Sequence, residues 1–544
     1  MAEEISQIAD LMLTGAEVIT MEEPICSVRS DIAVADGRIL AVGKPEKVAA
    51  YKGTHTHVVE SGGKTIMPGL IDSHAHMVSY GAALEAVDLT PESVKGRMDQ
   101  LFSRIRKAAA AAIPGEWIHA WGFDDSRMDE KRYPTIDELD AASPDHPLKI
   151  KRTCGHIYMV NRQALEQAEI RYDTPDPEGG KIGRNPAGIP DGLLFELGAI
   201  NLVNRSIPRA DALECARLLA AASKAYVSEG VTLVTEAGAA WSGNPYEAAG
   251  FQRARDSEIL LHRVSMGVME DTYRLLPEQN ALGLVSGFGD DHLWIGPAKF
   301  VVDGSIGAGT AAMYEPYGRE NSCGVMCEEE EDLRKRMEAC HRAGFQLSVH
   351  AIGDKTIDMV LRNFESILSR FPRSHRHRIE HAAVCRPDFL PRIASLGLTA
   401  VVQPAFIHFL GESFINNLDD KRLAYTIALK SLTEAGVVLA GSSDRPVTDG
   451  NPWKGIWAAV ARITTEGRRI SPEQALTPAQ ALRMYTYGGA FANGVENRLG
   501  TLSPGKFADL IILKENPLSI EPDRLKEMVV EKTLVGGRQV YESV

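Results

Sequence analysis

Two histidines one residue apart close an apolar run, Met67-Pro68-Gly69-Leu70-Ile71-Asp72-Ser73-His74-Ala75-His76. Alternate side chains of an extended segment share a face, so His74 and His76 point the same way, as two imidazoles on one cation must. Packing alone explains such a pair poorly, because two buried imidazoles need two polar partners. Similar runs stop at His350 (Leu347-Ser348-Val349-His350), at His381 (Arg378-Ile379-Glu380-His381) and at Asp444 (Leu439-Ala440-Gly441-Ser442-Ser443-Asp444). Metal-capable side chains thus recur where extended segments end.

Lys299 is out of place in Pro297-Ala298-Lys299-Phe300-Val301-Val302. An ammonium about 4 Å from a divalent cation is repelled by roughly 8 kcal/mol at an effective dielectric of ~20. A lysine at such a site is therefore neutral, or is converted by CO2 to a carbamate, an anionic oxygen ligand. Its bland alternative is a long side chain reaching solvent from a strand end. Glu236, in Val234-Thr235-Glu236-Ala237-Gly238, competes as the anion that bridges two cations or completes one site.

These residues need a scaffold that gathers strand ends. Residues 65–73, 231–235, 262–268, 299–302, 346–349, 378–380, 399–402 and 438–440 read as strands, with helical patterns between most of them, such as 210–229 and 331–343. That alternation specifies an α/β fold with a parallel sheet. Eight such strands close a (β/α)8 barrel, expected over residues 67–495, with its chemistry at one mouth. The gap from about 81 to 208 is too long for one crossover and is expected to be an inserted subdomain near the mouth. It holds a helical stretch at 91–112, strand-like segments at 116–121 and 148–152, and a Gly/Pro-rich stretch at 179–190. Both ends of the chain are strand-rich, with Asp36-Gly37 as a hairpin turn, so one sheet domain is expected from both termini.

A formal net charge of -14 over 544 residues argues against nucleic acid or an anionic membrane surface as a partner. No apolar run approaches the ~20 residues of a membrane span. Met1-Ala2-Glu3-Glu4 lacks the basic region of a signal peptide. Seven scattered cysteines fit a reducing compartment, and the closest pair, Cys323 and Cys327, has no second pair to complete a zinc knuckle. A cytoplasmic protein with a small-molecule substrate is expected.

The ordered motifs resemble the amidohydrolase superfamily, and most of all amidohydrolase family 3, the group of N-substituted formamide deformylase-like enzymes. The resemblance spans nearly the whole chain. It runs from Asp36-Gly37-Arg38-Ile39 through residues 68–76, Arg132-Tyr133-Pro134-Thr135, Cys154-Gly155-His156, Asp303-Gly304-Ser305 and His350-Ala351-Ile352-Gly353-Asp354. It continues through Ile379-Glu380-His381-Ala382 and Ser442-Ser443-Asp444-Arg445-Pro446 to Lys506-Phe507-Ala508-Asp509-Leu510. The resemblance implies a distorted (β/α)8 TIM barrel with a small β-sandwich built from residues 1–66 and 496–544. It implies one or two divalent cations, zinc in the first instance, on His74, His76, carboxylated Lys299, His350, His381 and Asp444. Asp444 would be the catalytic carboxylate, His156 is a candidate donor to the tetrahedral oxyanion, and a homodimer follows only by analogy. Asp303 either orients a ligand or opens a turn with Gly304.

The implied chemistry is hydrolysis of a C–N bond in an amide, N-acyl or N-formyl group. The metal would lower the pKa of its water from about 15.7 to about 7, and Asp444 would move the proton. Ring deamination, decarboxylation and a non-enzymatic barrel are the alternatives. Ring deaminases typically place a Glu just after the fifth-strand His, where this chain has Gly353-Asp354. Two positions depart from the family pattern. Gly122-Phe123 stands where Gly-Trp is frequent, and Arg445 stands where a Trp often follows the eighth-strand Asp. Both are expected near the substrate.

Overall fold

The computed structural model describes residues 7–152, 157–177, 180–240, 244–270, 283–318 and 321–543. Eight parallel strands form the barrel: β1 (Leu70–Ala75), β2 (Val231–Ala239), β3 (Arg263–Met269), β4 (Leu293–Val301), β5 (Leu347–Ala351), β6 (Arg378–His381), β7 (Thr399–Val402) and β8 (Leu439–Gly441). Each pairs with the next in chain order. Most of their residues are buried on both faces, which is why the strands read as apolar runs rather than as alternating patterns. Helices Glu330–Ala343 and Asp354–Arg370 supply crossovers on either side of β5.

The seam between β8 and β1 is closed just beyond the strands rather than by a ladder. Asp444 N donates to His74 O at 2.7 Å, and His76 N donates to Arg445 O at 2.8 Å. Ser443 gives its backbone N–H and its hydroxyl to the two oxygens of Asp72, at 3.0 and 2.5 Å. Closure therefore sets the first and last strand ends side by side.

Residues 65–73 are two strands rather than one. Thr65–Pro68 pairs antiparallel with Leu510–Leu513, and β1 begins only at Leu70. The break falls at Gly69, where a Cβ would lie 2.2 Å from the Thr232 side chain. Thr65–Pro68 joins Ala9–Ile19, Ser27–Ala35, Arg38–Gly43, Lys52–Glu60, Leu510–Leu513, Val530–Val535 and Arg538–Glu542 in one hydrogen-bonded sheet drawn from both ends of the chain. Leu13, Val18, Ile32, Ile66, Leu510 and Ile512 pack together in its core. Arg263 at the start of β3 ties the barrel to this sheet through a bidentate pair with Asp509, at 2.8 and 2.9 Å, while stacking over Phe507.

By its contacts the chain divides into two compact units, Gly81–Ala210 and the remainder. The first holds a six-stranded mixed sheet. Its helical stretch is interrupted: Pro91–Val94 and Met98–Ala111 are separated by Lys95, Gly96 and Arg97, the first two in left-handed conformations that end a helix. Phe123, expected near the substrate, is fully buried in the core of this unit among Leu101, Met128 and Leu139. No helix among the described residues is long and apolar enough to cross a membrane.

Candidate metal centre

His74 lies near the end of β1 and His76 directly after it; Asp444 follows β8. The seam bonds draw them together, and one ligand atom from each lies within 4.8 Å of the others. Asp444 Oδ1 is 3.5 Å from His74 Nε2 and 3.4 Å from His76 Nε2. Asp444 adopts a left-handed φ of +55°, and His381 one of +71°. Such conformations in non-glycine residues persist only where neighbours over-determine them, and they cluster at functional sites.

The remaining expected ligands stand on adjacent strands. The His381 ring is 5.0 Å from that of His74 and 4.5 Å from that of His350. Lys299, on β4, is only 2% exposed. Burial lowers its pKa to about 8 against the opposing pull of Glu380 and Asp444. His156 lies outside the described residues.

Three of the four histidines, His74, His381 and His350, are oriented from behind. Glu380 accepts the Nδ1–H of His74 at 2.5 Å, which leaves Nε2 toward Asp444. Gln403 accepts the Nδ1–H of His381 at 2.8 Å, and its own amide is pinned by donating to Ser442 Oγ at 2.9 Å. His350 directs Nε2 at Gly304 O and Asp303 Oδ1, at 3.2 and 3.3 Å, leaving Nδ1 as its remaining ring nitrogen. Asp303 faces His350, and it opens no turn with Gly304. It orients His350, and it also organises the loop by accepting from Ala312 N, Ile352 N, Gly353 N and Thr356 Oγ1. Partners of this kind fix tautomers and raise ligand basicity.

Charges around the site are strongly coupled. Burial, with Lys299 nearby, depresses the His74 pKa to about 4 despite Glu380 and Asp444. At His76 burial is outweighed by Asp444 and Glu236, and the pKa rises to about 9. Asp444 stays ionised, because His76, His74 and His381 overcome its desolvation. Glu236 is already engaged by Met77 N at 2.8 Å and Gly238 N at 3.2 Å, with His76 Nδ1 3.6 Å away. The carboxylates of Asp444 and Glu236 draw positive charge into the pocket, held by the His76 proton here, while His74 and His381 stay uncharged, and a divalent cation would satisfy the same carboxylates in place of that proton.

Arg445, expected near the substrate, is turned into the interior. Its side chain is 1% exposed and packs against Tyr80, Tyr226 and Glu229. Sequence reading also missed Glu380, Arg378 and Gln403 as functional groups. The signal was present in Arg378-Ile379-Glu380-His381, three polar residues on a strand that is buried throughout.

An eight-stranded parallel barrel with two histidines and an aspartate converging at its strand ends defines a metal-dependent hydrolase. The amidohydrolase family profile matches residues 57–541, and the chain belongs to that family. It is 33% identical to Protein LONG AFTER FAR-RED 3 of Arabidopsis thaliana, over 98% of this chain and 92% of that protein. It is 28% identical to the N-substituted formamide deformylase of Arthrobacter pascens, over 99% of each. A metal-dependent hydrolase of Pyrococcus horikoshii superposes with a TM-score of 0.79 at 26% identity, covering 94% of this chain and 99% of that one.

Proposed function

We propose that the protein hydrolyses the C–N bond of a small amide, N-acyl amine or N-formyl amine, releasing an amine and a carboxylic acid. The observation that carries this reading is the convergence of His74, His76 and Asp444 on a single point. The donor set fits zinc: two imidazole nitrogens and one carboxylate oxygen, one imidazole with its tautomer held by Glu380. His74, His76 and Asp444 would hold one ion. His350 and His381 would hold a second, with Lys299 joining the two as its CO2-derived carbamate. A divalent cation so bound supplies an acidified water and a polarised carbonyl.

The chain's own residues move the proton. Asp444, ionised at neutral pH, orients the water and takes its proton as the oxygen adds to the carbonyl carbon. It delivers that proton to the nitrogen as the C–N bond breaks. Full-length similarity to an N-substituted formamide deformylase supports the N-formyl and N-acyl class. The test is elemental analysis of the purified protein, paired with a screen of N-formyl and N-acyl amines for release of amine and acid. Bound transition metal with matched release of both products is expected. A metal-loaded protein that frees no amine from any of them refutes the substrate class.

A further inference from the structure

We infer that Arg445 is a positioning residue for the catalytic centre: paired with Glu229, it holds the segment that carries Asp444 in its working conformation. The inference rests on the reading of Asp444 as ligand and proton carrier given above.

Asp444 sits in a left-handed conformation that an isolated loop would relax. Three sets of contacts prevent this, and all involve the next residue. The Arg445 carbonyl accepts the His76 N–H at 2.8 Å, while the Arg445 N–H donates to Ser443 Oγ at 3.1 Å. Its backbone is thus bonded to His76, a ligand, and to Ser443, the residue before Asp444. The side chain then crosses to the far end of the same segment, where Nε donates to Asp449 O at 2.7 Å. The terminal NH2 donates to Glu229 Oε1 at 2.7 Å, just past helix Ala212–Ser228. The guanidinium carbon lies 4.5 Å from the centre of the Tyr80 ring and 5.1 Å from that of Tyr226.

Both ends of the 444–449 segment are therefore tied to one buried side chain, which is anchored on a helix outside the barrel. Gly450 makes room for it: a Cβ there would lie 2.1 Å from Arg445 Cγ, and φ is +73°. Only a planar fork can donate in two directions while stacking on aromatic rings, so lysine does not substitute.

A purely structural Arg445–Glu229 pair would affect stability and leave the metal geometry alone, so the test reads geometry. Wild type, Arg445→Lys, Glu229→Gln and the double variant are loaded with Co2+ and compared by visible absorption and by the rate of Co2+ release to a chelator. Circular dichroism and thermal midpoints are recorded alongside. Gly450→Ala, which presses on Arg445 without altering the Arg445–Glu229 pair itself, serves if the other variants do not fold. Folded variants are expected to show an altered cobalt band and release about tenfold faster or more, with the double variant no worse than the worse single. Variants that match the wild-type spectrum and release rate overturn the inference, whatever their thermal midpoints. A wild-type protein that takes up no Co2+ is a different result; it overturns the metal reading, and this inference with it.

Discussion

Replacing Glu380 by Gln removes one charge and almost no volume, from a carboxylate that is fully buried. Its oxygens serve three partners: His74 Nδ1 at 2.5 Å, Ser348 Oγ at 2.7 Å, and Arg378 at 2.5 and 3.1 Å. Burial works against ionisation, yet Arg378 and then His74 pull the carboxyl well below the usual range. In Glu380→Gln one oxygen becomes an NH2 group, which faces His74 Nδ1–H and Arg378 Nη2 at one position, or Ser348 Oγ and Arg378 Nε at the other. An Arg378 N–H loses its acceptor either way, and the Arg378 guanidinium, itself fully buried, loses its counter-charge. Breaking a buried pair from one side costs about 3–5 kcal/mol. Loss of the group that fixes a ligand's tautomer weakens metal affinity by about 10–100-fold, equivalent to roughly 1.4–2.8 kcal/mol. Competition with a chromogenic zinc chelator measures the second effect, and denaturant unfolding of the metal-free protein measures the first. Wild-type zinc affinity together with stability changed by less than about 0.5 kcal/mol would refute the role assigned to Glu380.

Asp444→Asn keeps an oxygen ligand but cannot carry a proton; kcat should fall by about 10²–10⁴-fold with metal still bound, and retained turnover at full metal content would remove Asp444 from that role. Asp509→Asn leaves the Arg263 guanidinium without its bidentate partner, and should destabilise the barrel-to-sheet junction by about 3–5 kcal/mol; an unchanged urea midpoint contradicts this. His262 is fully buried, with Nδ1–H on the Arg263 carbonyl at 2.9 Å and Nε2 without an acceptor among the described residues. Burial holds its pKa at about 4, against 6.5 when unperturbed. Below pH 6.5 the unfolded chain gains a proton that the folded chain refuses until about pH 4, so stability is lost across that window by up to roughly 3 kcal/mol. Urea unfolding at about pH 7.5 and 5 should show a smaller drop for His262→Gln than for wild type; equal drops reject the assignment.

Strand ends and ligand types were legible in the sequence because they are local properties. Apolar runs in parallel sheets mark themselves, and the i, i+2 spacing puts His74 and His76 on one face wherever that strand lies. All eight barrel strands were visible on those grounds, and Asp444, at the end of the eighth, was among the side chains singled out for the cation. Tertiary structure alone decided which groups stand behind each ligand. Glu380 reaches His74 from a position 306 residues away, and Ser443 reaches Asp72 across 371 residues. Those pairings depend on strand register and barrel closure, to which local pattern is blind. Tertiary contacts also divided residues 65–73 between two sheets at Gly69, and turned Arg445 and Phe123 into the interior. The direction of a large side chain follows from the space and partners that other parts of the chain provide.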